Sequence, residues 1–144
     1  MNRTAVAAAA FAFAAGAALA TEIARPDAVT TPVVRTAKTA IGQPIETPAH
    51  PELIVALTTI PVHGATRVHK HPWQRCVYVL AGQLRVTDMA TGEARDYRPG
   101  DFIAEMRGAY HFGANTGADP VKLLVIDAVP PGTTSNVVMQ TDEH

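Results

Sequence analysis

Residues 66–86 read TRVHKHPWQRCVYVLAGQLRV, with two histidines one residue apart, His69 and His71, then a proline, an apolar run and Gly82. Side chains on a strand alternate between faces, so His69 and His71 share one. If the strand continues unbroken, the same face carries Trp73, Arg75, Val77 and Val79, and Pro72 is the residue placed to disturb that alternation. Two imidazoles on one face can converge on a single ion, and imidazole serves zinc, iron, nickel and copper alike. The competing reading of such a pair is two surface histidines. His111, the third relevant histidine, lies far along the chain and comes within reach where a sheet rolls up.

Outward from this stretch, short β-type segments at 52–60, 65–71, 75–80, 83–89, 93–98, 101–106, 109–115 and 121–128 alternate with turn signals. The punctuation is Ala81-Gly82, Thr91-Gly92, Pro99-Gly100, Arg107-Gly108 and Gly117–Pro120. Segments of this length separated by such turns form antiparallel hairpins, and no stretch keeps a 3.6-residue apolar period long enough for a major helix. About eight strands in succession predict an all-β sandwich or barrel, which closes or doubles the sheet to remove exposed edges. The stretch 136–140, NVVMQ, offers one further strand in the tail.

At 144 residues the chain holds one domain. Its first twenty residues carry Arg3, an Ala/Phe/Val run and the close Ala18-Leu19-Ala20, the pattern of a cleaved export signal. A membrane anchor fits less well, because alanine is only weakly apolar. The expected organisation is therefore a signal peptide at 1–20, an extended Pro-rich arm or linker at 21–51, the barrel at 52–130 and a tail at 131–144. The expected location is periplasmic or secreted. Of 12 basic side chains only Arg3 lies in the leader, so the remainder carries 11 against 13 acidic groups, a formal charge of −2. That balance, with no Lys/Arg cluster and no basic amphipathic helix, excludes a nucleic-acid partner and, after signal cleavage, a membrane one. The single cysteine, Cys76, cannot close an internal disulfide. Its parity opposes that of Arg75, which favours an inert buried thiol over a nucleophile.

The chain from about Gly64 to Asn115 resembles the cupin superfamily, and specifically its small single-domain bacterial members. Of the first motif, G(x)5HxH(x)3-4E(x)6G, the sequence supplies His69, His71 and Gly82, with Gly64 one place from its expected position and Arg75 where the glutamate belongs. Of the second, G(x)5PxG(x)2H(x)3N, it supplies Gly100, Gly108, His111 and Asn115 at every spacing, with Met106 in place of the proline. The resemblance implies a jelly-roll barrel in which His69, His71 and His111 bind a divalent transition metal (Fe, Mn, Ni or Zn), a small-molecule substrate or ligand, and a homodimer. The arm is the segment suited to lie across a partner's sheet edge.

The missing carboxylate divides the readings. A guanidinium has no lone pair to offer a metal, so Arg75 cannot replace the motif glutamate. Gln74 offers a weak amide oxygen but faces away on a regular strand. Glu105, embedded in DFIAEM, is costly to bury without a cation or donor beside it, and either the metal or Arg75 would serve; its alternative is an outward-facing position. A three-histidine centre with open positions is a second solution, similar to cupins that resemble thiol and diketone dioxygenases, with Arg75 or Glu105 orienting the substrate. A barrel that holds metal poorly and binds a small molecule as a noncatalytic periplasmic sensor is the third. Trp73, Tyr78, Phe102, Tyr110 and Phe112 are candidates for cavity lining or for core packing. Asn115 is expected to hold the turn that follows it. His63 faces solvent or supports the site, whereas His50 and His144 carry no motif.

Overall fold

The computed structural model describes residues 26–141. The leader expected at 1–20, the start of the arm and His144 lie outside the described residues. Nine strands and no helix occur among the described residues: β1 Glu52–Ile60, β2 His69–Lys70, β3 Arg75–Ala81, β4 Leu84–Asp88, β5 Ala94–Tyr97, β6 Phe102–Ala104, β7 His111–Asn115, β8 Val121–Val129 and β9 Val138–Met139. They form two antiparallel sheets, one in the order β1-β8-β3-β6 and one in the order β5-β4-β7-β2-β9. This is the all-β jelly-roll arrangement expected from the spacing of the turns.

Alternation along the strands builds the interior. On β8 the buried row runs Val121, Leu123, Val125, Asp127, Val129, and on β3 Val77 and Val79 point the same way as Arg75. The opposing sheet answers with Leu84 and Val86 from β4, and Ile60, Ile103 and Met106 complete the apolar core. At the β3–β4 turn Gly82 has φ +79°, and a Cβ there would lie 2.7 Å from the Val121 backbone. Only glycine suits that conformation and that approach.

Two features shape the site. The first is the corner after His71. Pro72 and Trp73 leave the ladder, and Arg75 opens β3 in the other sheet. The strand expected at 65–71 is accordingly short, its earlier part reduced to a bridge between Ala65 and Ala114. A proline that can donate no ladder hydrogen bond is a physical reason for the crossing.

The second is the arm. Its described part is exposed from Pro26 through Lys38, and then a turn bridging Lys38 to Pro44 docks. Thr39 is buried, Ala40 N–H donates to the Ala104 carbonyl at 2.8 Å, and Gln43 and Arg107 exchange two hydrogen bonds of 2.9 Å. The turn therefore grips the chain on both sides of Glu105.

Candidate metal centre

His69 from β2, His71 at the corner that follows it and His111 at the start of β7 are buried side by side. His69 and His111 are direct antiparallel partners, which explains how some forty intervening residues are bridged. One ring nitrogen of each histidine lies within 4.8 Å of the other two, and ring centroids stand 4.7–5.0 Å apart.

The tautomers follow from what the outer nitrogens touch. His69 Nδ1 lies 2.7 Å from the Arg67 carbonyl, His71 Nδ1 2.7 Å from the Asn136 carbonyl, and His111 Nδ1 2.9 Å from the Ala109 carbonyl. A carbonyl only accepts, so each Nδ1 carries the proton and each Nε2 is left with its lone pair. Such an outer contact is what fixes ring and tautomer in metal-ligating histidines.

Glu105, just beyond β6, joins them. Its Oε2 is 3.0 Å from His71 Nε2 and 3.7 Å from His111 Nε2. None of these three buried atoms has an aligned hydrogen-bond partner. A carboxylate oxygen and two imidazole lone pairs turned toward one region repel each other unless a proton or a cation lies among them. Donors about 2.0–2.1 Å from one ion, at tetrahedral or octahedral angles, stand about 2.9–3.4 Å apart. The Glu105–His71 contact falls in that range, whereas the 3.7 Å to His111 and the histidine spacings of up to 4.8 Å are wider, so the group is a candidate metal centre whose donors would draw closer around an ion.

Without metal, protons do this work. Burial alone would raise the Glu105 carboxyl, but His111 and His71, when protonated, outweigh it and hold the carboxyl far below the usual carboxylate range. Burial would likewise depress His111, yet the contact with Glu105 lifts it above its ordinary value. His69 is lowered, chiefly by burial; the Arg67 carbonyl pulls the other way, and His111 and His71 depress it further.

Arg75 lines the same cavity as Glu105, His69 and His111. Its Nε and Nη2 donate in a fork to Asp127 Oδ1 and Oδ2, both at 2.7 Å. Glu105 does not pair with Arg75 through side chains; the link is Glu105 N–H to the Arg75 carbonyl at 2.9 Å. Position 105, just past the end of β6, is thus the neighbour of position 75 at the start of β3, and it carries the carboxylate. Gln74 is buried and donates to the Arg75 and Glu105 carbonyls.

The cavity measures about 50 Å³, and besides the polar groups it is walled by Ile60, Val77, Leu84, Val86, Leu123 and Val125. None of Trp73, Tyr78, Phe102, Tyr110 and Phe112 lines it; all five are half-buried, and Tyr110 carries Lys70 Nζ 4.7 Å above its ring. A larger groove of about 430 Å³, lined by Arg85, Asp96 and Arg98, contains none of the histidines.

Asn115 holds its turn as expected, donating to the carbonyls of Ile60, Pro61 and Asp119. Burial pushes the Cys76 thiol up and the charges of Glu105 and Asp127 add to it, so a thiolate is disfavoured. His63 and His50 are exposed. Two residues tied to the site, Asp127 and Asn136, escaped the sequence reading. Asp127 had a signal, an acid on the inward parity of VKLLVIDA, whereas Asn136 had none.

The Cupin domain family model matches residues 56–127. No curated protein sequence gives a significant match. Among solved structures, the polyketide cyclase RemF from Streptomyces resistomycificus is 23% identical over 65% of this chain and 66% of its own, with a TM-score of 0.51. A variant of the Bacillus subtilis oxalate decarboxylase is 26% identical over 60% of this chain, with a TM-score of 0.52. This chain spans only 23% of that enzyme, which has Mn(II) centres. A double-stranded β-helix protein from Klebsiella pneumoniae, 19% identical, shares the fold over 66% of this chain and 84% of its own, with a TM-score of 0.52.

Proposed function

The chain belongs to the cupin family, and from that premise we propose that it is an exported, metal-binding cupin acting on a small organic molecule as a dioxygenase-like oxidoreductase. The observation that carries this reading is the inward aim of three imidazole Nε2 atoms and Glu105 Oε2, all buried. His69, His71, His111 and Glu105 would hold the ion, which is Fe, Mn, Ni or Zn. When bound, the ion supplies a Lewis-acidic centre, and as Fe or Mn a redox-active one.

The chain's own groups do the rest. Six aliphatic side chains wall most of the cavity, and its volume of about 50 Å³ admits about four water-sized groups at roughly 10–15 Å³ each. The reacting part of the substrate is accordingly small. With Nε and Nη2 engaged by Asp127, the Nη1 group of Arg75 remains to orient a substrate oxygen. Export rests on the leader pattern, and a homodimer is supported by the outer face of β1, where Leu53, Val55 and Leu57 are 61%, 59% and 75% exposed.

Metal analysis of the loaded full chain tests the reading. Near-stoichiometric metal in wild type and its loss in His111→Ala are expected; two metal-free proteins would defeat it. Oxygen uptake by the loaded protein with thiols, diketones and flavonols then tests catalysis. A second reading, a noncatalytic binding or sensor cupin, is favoured by the Arg75–Asp127 pairing, which neutralises the guanidinium lining the cavity. No oxygen uptake together with ligand-induced thermal stabilisation would select it.

A further inference from the structure

The three histidines are not held alike. His69 and His111 find their Nδ1 acceptors two residues back on their own chain segments, at Arg67 and Ala109. His71 finds its acceptor 65 residues away, at the backbone carbonyl of Asn136 in the C-terminal tail. Asn136 is the one buried residue between 131 and 140, at 1% exposure. A buried amide is costly unless every polar group is met. Here each one is. Oδ1 accepts from Trp73 N–H at 2.9 Å, and Nδ2 donates to the Trp73 carbonyl at 3.1 Å and to Asp127 Oδ1 at 2.7 Å. Asp127 is itself forked by Arg75. The asparagine thus clips the sheet-crossing corner on both sides of Trp73. Around it the described part of the tail is held thinly, by the two-residue pairing of β9 with β2, by Gln140 N–H to the Val68 carbonyl at 3.0 Å and by the exposed Gly132 N–H to Glu52 Oε2 at 2.9 Å.

We infer that Asn136 is a positioning residue for the metal centre, and that docking of the C-terminal tail and binding of the ion are linked through His71; this rests on the metal-binding reading above. With the tail docked, His71 keeps its proton on Nδ1 and its lone pair on Nε2, the form an ion requires. With the tail released, the ring loses its acceptor and is free to turn. The ion therefore favours the docked tail, and by reciprocity the docked tail raises affinity for the ion. Arg75 has a second part in this, because its pairing with Asp127 presents the oxygen that receives Asn136.

The test uses the full chain and the metal alone. Asn136→Ala keeps the carbonyl that meets His71 but removes the side chain that anchors it; it should weaken Co(II) binding by up to about 10–100-fold, the usual cost of losing an outer partner of a ligating histidine, and should alter the Co(II) absorption spectrum. Val121→Ala, in the core and away from the cavity lining, serves as the destabilised control and should keep both affinity and spectrum. In the wild-type chain, which removes any doubt about folding of a variant, Zn(II) should slow amide exchange at Trp73 and Gln140 more than along β1 and β8. A wild type that binds neither ion overturns the metal reading and this inference together. A wild type that binds, beside an Asn136→Ala protein with unchanged affinity and spectrum, overturns this inference alone. So does equal loss of affinity in the Val121→Ala control, or exchange at Trp73 and Gln140 that ignores Zn(II).

Discussion

Two Arg–Asp forks sit in the two sheets, built alike and placed differently. Arg75 on β3 faces Asp127 on β8, and Arg85 on β4 faces Asp96 on β5, each as direct antiparallel partners. The first fork closes at 2.7 and 2.7 Å, the second at 2.6 and 2.7 Å. Their side chains are 16% and 4% exposed in the first pair, 48% and 62% in the second. The same geometry therefore has two meanings. Inside, the pair has been taken out of water, and each charge depends on the other and on Asn136. Outside, water and salt do most of what the partner does. Register on a strand decides between the two, because Arg75 lies on the inward row and Arg85 on the outward one.

The comparison is most sharply tested at Asp127. Its replacement by alanine leaves the half-buried Arg75 without its counter-charge and Asn136 without one of its two acceptors, and should cost up to about 3–5 kcal/mol in chemical denaturation. A loss no larger than that of an ordinary surface substitution would erase the distinction between the two forks.

Next comes the carboxylate that the inner fork leaves free for the centre. Glu105→Gln should reduce metal affinity by more than about 100-fold in competition with a chromophoric chelator, beyond the usual effect of an outer partner. Unchanged affinity would mean that three imidazoles suffice.

In metal-free protein, Glu105 and His111 should also show themselves through pH. The depressed Glu105 carboxyl contributes stability that is present above its usual 4.5 and lost as pH falls through its folded value. The raised His111 contributes stability that is complete below its usual 6.5 and lost as pH rises through its folded value. The melting temperature of wild type minus that of Glu105→Gln, in chelator, should therefore be largest between pH 4.5 and 6.5 and shrink on either side. A flat difference would break the proposed charge pairing.

The smallest effect belongs to the outer fork. Arg85→Ala should leave the melting temperature nearly unchanged, and any residual difference should vanish in 1 M salt, where the screening length is about 3 Å.

The strands were legible because their ends were written in glycines and prolines: Gly82, Pro99-Gly100 and the Gly117–Pro120 turn stop the apolar runs where the chain reverses. The trio His69, His71 and His111 was legible from motif spacing, and Glu105 from the oddity of an acid inside an apolar segment. Asp127 carried the same oddity, on the inward row of β8. Asn136 carried none, since in the sequence it is one polar residue in a polar tail. The aromatic residues misled in another way: side chains weighed for the cavity wall or the core stand half-buried, and aliphatic residues on the inward rows surround the histidines instead.

What the sequence alone determined was local: where strands begin and end, which side chains share a face, and which residues have lone pairs to offer. Alternation and turn chemistry act over two to five residues and need no partner. What only the tertiary structure decided was which donors meet. Whether Arg75 faces a substrate or Asp127, whether Glu105 reaches His71, and whether a tail asparagine sets a histidine's tautomer all depend on chain segments that come together when the sheets close, since hydrogen bonds and charge pairs act across a few ångströms of space and take no account of distance along the chain.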